Sequence, residues 1–306
     1  MSGRRARGAC QVAGGVIWDQ WRYARLLPAA ARSLGRGATY ARLVATIEWR
    51  RDRARRIAAC RRVQGWLGVS ALRASRLHWQ CLWSEAREEA DAAFFMRHPD
   101  ALDKAFDDAV GAAVALPPPT GSVIYAGLHL GSPVLGYLHL CRRLAPDLAL
   151  IARAIDPDNP MPADKRRFAE RKVAWVEATA GRPFFKTDAA SMLGVRAHLR
   201  AGKPLYLLAD VPGDAVGRSA VCTLFGETVR LAAGLATLVR ISGSAVQTLA
   251  ITREPRGFVV RPGPRLAPDE VDLPAVLHAL APFIGDFPDQ WWMWPYLPTA
   301  IDSARG

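Results

Sequence analysis

Two patterns of apolar residues divide the chain. In the first part, apolar residues such as Ile57, Cys60 and Val63 recur at three- and four-residue spacing with arginines between them, a pattern typical of amphipathic helices. After a proline triplet, short apolar runs alternate with helical stretches and Gly/Pro turns. The patterns predict a helical region at 1–116 and an α/β region at 117–306.

The α/β region is predicted to contain five strands and five helices. The strands are expected at 122–128, 148–152, 204–209, 245–251 and 257–261. The helices are expected at 133–144, 161–180, 188–201, 229–242 and 271–285. Residues 109–141 lack Asp, Glu, Lys and Arg, but Ser132 suits an N-cap and Pro133 a first helical position. Strand, tight turn and helix therefore fit this stretch better than a membrane span does.

The excess positive charge is confined to the beginning of the chain. The protein has 306 residues and a net charge of +13, and residues 1–76 hold seventeen arginines against three acidic residues. Such a basic segment points to a polyanionic partner, either nucleic acid or an anionic membrane surface. Helices that pack on a core and expose their arginines to solvent are the simpler alternative. The α/β remainder is close to neutral and shows no recognised nucleic-acid motif. Nucleic-acid binding is therefore the least favoured of three hypotheses, behind an enzyme and a catalytically silent protein that act at a membrane.

The five cysteines form no Cys-x-x-Cys pair and no spacing with histidine that suits zinc. A reduced, cytosol-facing protein is the simplest interpretation. The first apolar stretch is interrupted by glycines and by Asp19, so we expect neither a secretory signal nor a spanning helix there.

His129 is the most suggestive candidate for chemistry. It lies in the junction Gly-Leu-His-Leu-Gly-Ser between a predicted strand and a predicted helix, and small residues such as Gly131 leave room for a substrate. The positive end of the helix dipole is expected to keep the ring neutral, as a general base requires. A structural histidine at a strand end is the alternative. Phosphate-loop, dinucleotide-binding and serine-hydrolase motifs do not occur, so Ser132 is interpreted as a cap only.

With this junction the sequence resembles the late acyltransferases of lipid A assembly, the lauroyl and myristoyl transferases related to the glycerolphosphate acyltransferases. The resemblance covers roughly residues 50–297. It continues in order through the stretches IARAIDPDNPMPADKRRF, LRAGKPLYLLADVPGD, TLFGETVRLAAGLATLVRISGSAV and FPDQWWMWP. It implies a glycerolphosphate-acyltransferase-like mixed sheet flanked by helices. The tryptophans of the last stretch are interpreted as a buried closing cluster rather than an acyl-chain contact.

The resemblance also implies a mechanism. In the family, a histidine of a His-x4-Asp/Glu pair takes a proton from an acceptor hydroxyl, which attacks an acyl thioester. Here Val134 stands at the position of the acid. Asp210 and Asp214 match the family's acidic loop, and either is a candidate to replace the missing acid; turn and cap roles are the alternative. His98 does satisfy His-x4-Asp but follows no strand, and we interpret it as a coincidental surface match.

Three arginines are candidates for binding an anionic substrate. The resemblance places Arg153 where a residue contacts phosphate, and Arg218 and Arg230 flank the stretch that starts at Thr223. Exposed surface arginines are the alternative for each.

The leading hypothesis is a peripheral acyltransferase at the cytoplasmic face of a bacterial inner membrane. The resemblance implies acyl carrier protein as the thioester donor and a lipid hydroxyl as the acceptor, with no metal or other cofactor. The alternative is a catalytically silent relative that binds lipid or carrier protein, and Val134 favours it.

Overall fold

The computed structural model describes residues 17–107, 116, 121–153, 155, 161–213 and 219–296. The helices before the sheet are α1 (Leu27–Ala30), which a π-helical turn (Arg22–Leu26) precedes, α2 (Leu34–Arg51), α3 (Arg53–Leu67), α4 (Ala71–Phe95) and α5 (Ala101–Asp107). The later helices are α6 (Pro133–Arg143), α7 (Ala163–Ala180), α8 (Ala189–Arg200), α9 (Gly234–Ser242) and α10 (Leu273–Asp286). The strands are β1 (Val123–Gly127), β2 (Ala149–Ala152), β3 (Phe185–Lys186), β4 (Leu205–Leu208), β5 (Ser219–Leu224), β6 (Glu227–Ala232), β7 (Ala245–Glu254) and β8 (Gly257–Leu266).

Six strands form one mixed sheet in the order β3-β2-β4-β1-β7-β8. All neighbouring pairs are parallel except β7 and β8, which form an antiparallel hairpin. The α/β class and a mixed sheet flanked by helices are therefore confirmed. All five predicted strands lie in this sheet, and the strand predicted at 257–261 runs on to Leu266. Pro262 and Pro264 are tolerated there because β8 is an edge strand.

One predicted helix was wrong at its start. The stretch 229–242 begins as the second strand of the separate β5–β6 hairpin, and the helix starts only at Gly234. Val229 and Leu231 are buried while Thr228 and Arg230 are exposed, which is the two-residue alternation of a strand. The neighbouring apolar helix concealed this short alternation. The sequence also did not predict β3 and β5.

The central strand separates two hydrophobic cores. Ile124 and Ala126 of β1 face a core that includes Trp66 and Leu277. Val123 and Tyr125 face the opposite core, together with residues of α6 and β4. Because both faces of β1 are covered, all five of its residues are buried.

The arginine-rich helices take part in the same packing. Val63 and Trp66 of α3 and Leu77 and Cys81 of α4 belong to the core on one face of the sheet. The division of the chain at residue 116 stays a prediction, but α3 and α4 contribute directly to the surroundings of the central strands.

Candidate active site

His129 and Asp210 lie beyond the carboxyl ends of neighbouring strands. Gly127 at the end of β1 pairs in parallel with Leu208 at the end of β4. The Ala209 amide donates to the Gly127 carbonyl at 2.9 Å, so the alignment continues past both strands. His129 and Asp210 each follow the aligned pair by two residues. This edge is where open α/β sheets bind their ligands.

The two side chains form a directly bonded pair. Nδ1 of His129 lies 2.8 Å from Oδ1 of Asp210, and the His129 amide donates to Oδ2 at 2.9 Å. Asp210 is fully buried, whereas the His129 side chain is 26% exposed. Because an aspartate oxygen accepts, Nδ1 carries the proton in the neutral ring and Nε2 holds the free lone pair. Of the two acids proposed from sequence, Asp210 occupies this position, and Asp214 lies outside the described residues.

The charge around His129 differs from the sequence-based expectation. Burial lowers the pKa of the ring, but the charge and hydrogen bond of Asp210, with the charges of Glu88 and Glu85, outweigh it, and the pKa lies above 6.5. We expected the positive end of the helix dipole to lower the pKa of the ring and keep it neutral, and this expectation was wrong. The nearby carboxylates have the larger effect on the pKa. The nearby carboxylates favour the imidazolium, which is the form that a general base must stabilise once it has taken a proton.

Two of these carboxylates were not identified from the sequence. Glu85 and Glu88 belong to α4, a helix that the sequence placed in the basic region. Glu88 is 3% exposed and forms an ion pair with Lys172. Periodicity alone gave no signal for them, because the second half of α4 is buried on all sides and its charged residues do not mark a solvent face.

Gly131 fixes the course of the loop after His129. Its φ is +62°, and a Cβ there would lie 2.1 Å from the Ile251 carbonyl oxygen. The residue therefore has to be glycine both for its backbone conformation and for its close approach to β7. Ser132 and Pro133 occupy the predicted N-cap and first helical positions. The Ser132 side chain, however, makes no capping bond, and its buried Oγ has no hydrogen-bond partner among the described residues. Ser132 was predicted to act only as a cap; it occupies the N-cap position, but the prediction that its side chain caps the helix was wrong.

The tryptophan-rich C-terminal stretch lies against the His129 loop. The Trp292 amide donates to the His129 carbonyl at 2.9 Å, and the Gly131 amide donates to the Gln290 carbonyl at 3.0 Å. Trp291 and Trp294 are fully buried and pack with Trp66, which agrees with a closing aromatic cluster. The cluster therefore also forms one wall of the candidate site.

The remaining candidates are placed as follows. Arg153 and Arg230 are exposed, and no hydrogen bond or ion pair within the described part of the chain joins either to His129. Arg218 lies outside the described residues. Val134 is partly buried at an apolar core. His98 is exposed on the turn after α4.

This arrangement predicts an elevated pKa for His129. We expect an NMR titration of the ring Cε1–H to give a value above 6.5, and the Asp210→Asn variant to give a lower one, because the asparagine carries no charge that favours the imidazolium. His139 is the control, since burial lowers its pKa and its titration should not respond to the change. A wild-type value below 6.5 would show that burial outweighs the nearby carboxylates and would contradict their effect on the ring.

No protein-family model matches the chain, and the search of curated proteins found no significant similarity. Among the described residues, no helix has the length and apolar character needed to span a membrane. In the same residues, no three His, Cys, Asp or Glu side chains are grouped so that they could hold a metal ion.

Proposed function

We propose that the protein is an acyltransferase in which His129 is the general base and Asp210 orients it. The observation that supports this most directly is the 2.8 Å contact between Nδ1 of His129 and Oδ1 of Asp210. The pair has the arrangement of the histidine and aspartate of a serine triad, but the nearby Ser132 Oγ makes no hydrogen bond to the ring or to any other described residue. The substrate's own hydroxyl takes the role of the nucleophile in this proposal.

The proposed reaction needs only these groups and two substrates. Nε2 of His129 takes the proton of an acceptor hydroxyl as its oxygen attacks the carbonyl carbon of an acyl thioester. The tetrahedral intermediate collapses with cleavage of the carbon–sulfur bond, and the imidazolium returns the proton to the leaving thiolate. An ester and a free thiol result. Asp210, and the charges of Glu85 and Glu88, stabilise the imidazolium between the two proton transfers.

The classes of donor and acceptor come from the resemblance to the late acyltransferases of lipid A assembly. They are an acyl chain on acyl carrier protein, or on another thiol carrier, and a hydroxyl of a lipid A-like or other lipid. Arg153, Arg218 and Arg230 remain proposed contacts for a phosphate group of either substrate. The glycerolphosphate-acyltransferase-like form of the mixed sheet is part of the same proposal.

Purified protein incubated with an acyl thioester and a lipid extract tests the proposal. We expect release of free thiol that depends on the lipid, together with a lipid product heavier by one acyl chain. Binding of the lipid or the carrier protein without release of thiol would favour the catalytically silent relative instead.

The described basic helices suit a location on an anionic membrane surface, which we propose as the protein's site of action. In the part of the chain that the structure describes, six of the nine exposed large apolar side chains lie within residues 17–76, and ten of the fourteen arginines in that segment are exposed. On α2, the exposed residues Arg36, Leu43 and Arg50 recur at seven-residue spacing and so share one face. Arginines beside exposed apolar side chains are typical of helices that lie in a bilayer interface.

Removing charge from this face should weaken binding to anionic vesicles. We expect the triple variant Arg36→Gln, Arg50→Gln and Arg42→Gln, whose third arginine is exposed beside this face on the same helix, to reduce partitioning into phosphatidylglycerol vesicles by on the order of a hundredfold, since each basic residue near the surface contributes about 1 kcal/mol. Co-sedimentation across a range of salt concentrations measures the effect. High salt should weaken wild-type binding more than binding of the variant.

The matched control removes three exposed arginines elsewhere. Arg196, Arg200 and Arg240 lie on α8 and α9, and their replacement by glutamine changes the net charge by the same amount. If the two triple variants lose vesicle binding equally, the binding depends only on net charge and not on the position of the arginines. Equal wild-type binding to neutral phosphatidylcholine vesicles in high salt would contradict an electrostatic surface site.

A further inference from the structure

Among the described residues, three groups donate hydrogen bonds to the Asp210 carboxylate, and two of these groups belong to His129. The third donor is the indole Nε1–H of Trp291, 2.8 Å from Oδ2. The same oxygen accepts a hydrogen bond from the His129 backbone amide at 2.9 Å, and the other oxygen, Oδ1, accepts from the imidazole. The indole therefore helps to decide which oxygen faces the ring and at what angle.

Trp291 is itself held from several sides. Its carbonyl accepts a bond from the Cys81 thiol of α4 at 2.9 Å, and its backbone forms an antiparallel bridge with Leu130 beside His129. The ring stands edge-on to Trp294, with centroids 4.7 Å apart, and it also packs with Trp66. The fully buried indole has little freedom to leave Asp210.

We propose that Trp291 is a positioning residue for the His129–Asp210 pair. Its indole N–H holds the Asp210 carboxylate in the orientation in which one oxygen accepts from the imidazole. The kinetic part of this inference rests on the proposed acyl transfer, whereas the part that concerns the histidine's titration does not.

The indole also tunes the charge that Asp210 presents to the ring. The indole N–H that binds Oδ2 draws part of the carboxylate's negative charge toward itself. When this N–H is removed, more negative charge remains on Oδ1, the oxygen that faces His129. The His129 amide still donates to Oδ2 when the indole N–H is gone, so the bond between Oδ1 and the imidazole persists. The added charge then favours the imidazolium, and the pKa of His129 rises. A tryptophan that merely fills space would leave this pKa unchanged when a ring of similar shape replaces it.

The test compares Trp291→Phe with Trp294→Phe in the full chain. Trp294 is equally buried and belongs to the same cluster, but its Nε1–H donates to the Pro288 carbonyl at 2.7 Å and does not contact Asp210. We expect Trp291→Phe to raise the pKa of His129 in an NMR titration and to lower kcat about tenfold, the size of one bond to a charged group, with little change in KM. Trp294→Phe should lower the melting temperature without either effect.

A second replacement covers the case in which Trp291→Phe does not fold. Site-specific incorporation of benzothienylalanine at position 291 keeps the bicyclic shape and exchanges the N–H for a sulfur atom. The same rise in the pKa of His129 is expected. An unchanged pKa in the folded analogue would overturn the positioning role even if the protein transfers acyl groups. A raised pKa in a protein without transfer would instead support the positioning role and count against the proposed reaction.

Discussion

Replacing His129 with alanine is expected to lower the rate of acyl transfer by about 10⁴-fold, because the reaction loses the base that takes the hydroxyl proton. The measurement is thiol release from an acyl thioester in the presence of the lipid acceptor. The side chain is partly exposed, so the variant should keep its fold, and thermal melting checks this.

Two other histidines serve as controls for that loss. His98 has an acid five residues further along but is exposed on a turn, and His139 stacks on Phe106 with ring centroids 4.1 Å apart. Alanine at His98 should change the rate little, and alanine at His139 should affect stability more than turnover. A large loss in His98→Ala together with an active His129→Ala would overturn the assignment of the site.

Exchange of Asp210 for asparagine is expected to have the second large effect, also about 10⁴-fold in kcat. Asparagine neither carries the charge that stabilises the imidazolium nor holds the ring in the tautomer with the proton on Nδ1. Asparagine has nearly the volume and shape of aspartate, so the melting temperature should change little even though the rate falls strongly. The rate is measured in the thiol-release assay.

Three further variants test whether the loss is specific to the pairing of Asp210 with His129. Asp103 lies 3.7 Å from His139, so Asp103→Asn disturbs a different aspartate–histidine pair and should leave the rate unchanged. Asp214→Asn tests the second acid proposed from sequence. Val134→Glu should not raise the rate, because Asp210 already occupies the position of the orienting acid. A rise in the Val134→Glu rate, with no loss in Asp210→Asn, would contradict the relocated acid.

The strands around the site could be predicted from sequence because they are buried on both faces. Their apolar runs end in polar or small residues, and His129 and Asp210 both follow such ends. The parallel arrangement of alternating strands and helices places those ends at one edge of a sheet. The sequence pattern leaves two candidate acids, since Asp210 and Asp214 belong to the same loop. The register of Gly127 with Leu208 is what distinguishes Asp210, and it depends on how the whole sheet assembles.

Other parts of the site depend on contacts between distant segments. Trp291 reaches Asp210 across 81 positions of the chain, and Glu85 and Glu88 approach from a helix before the sheet. Apolar periodicity reports which side of an element is buried, but it does not report what that side touches. The tryptophan stretch was therefore predicted as a buried cluster, while the hydrogen bond that it contributes to Asp210 was not.

Lipid mass spectrometry of cells that carry or lack the gene is the decisive measurement for acyl transfer by His129. We expect a lipid heavier by one acyl chain in cells with the gene, its loss on deletion, and its return with the wild-type gene but not with His129→Ala. Identical lipid profiles with and without the gene, or full restoration by His129→Ala, would contradict acyl transfer by this histidine.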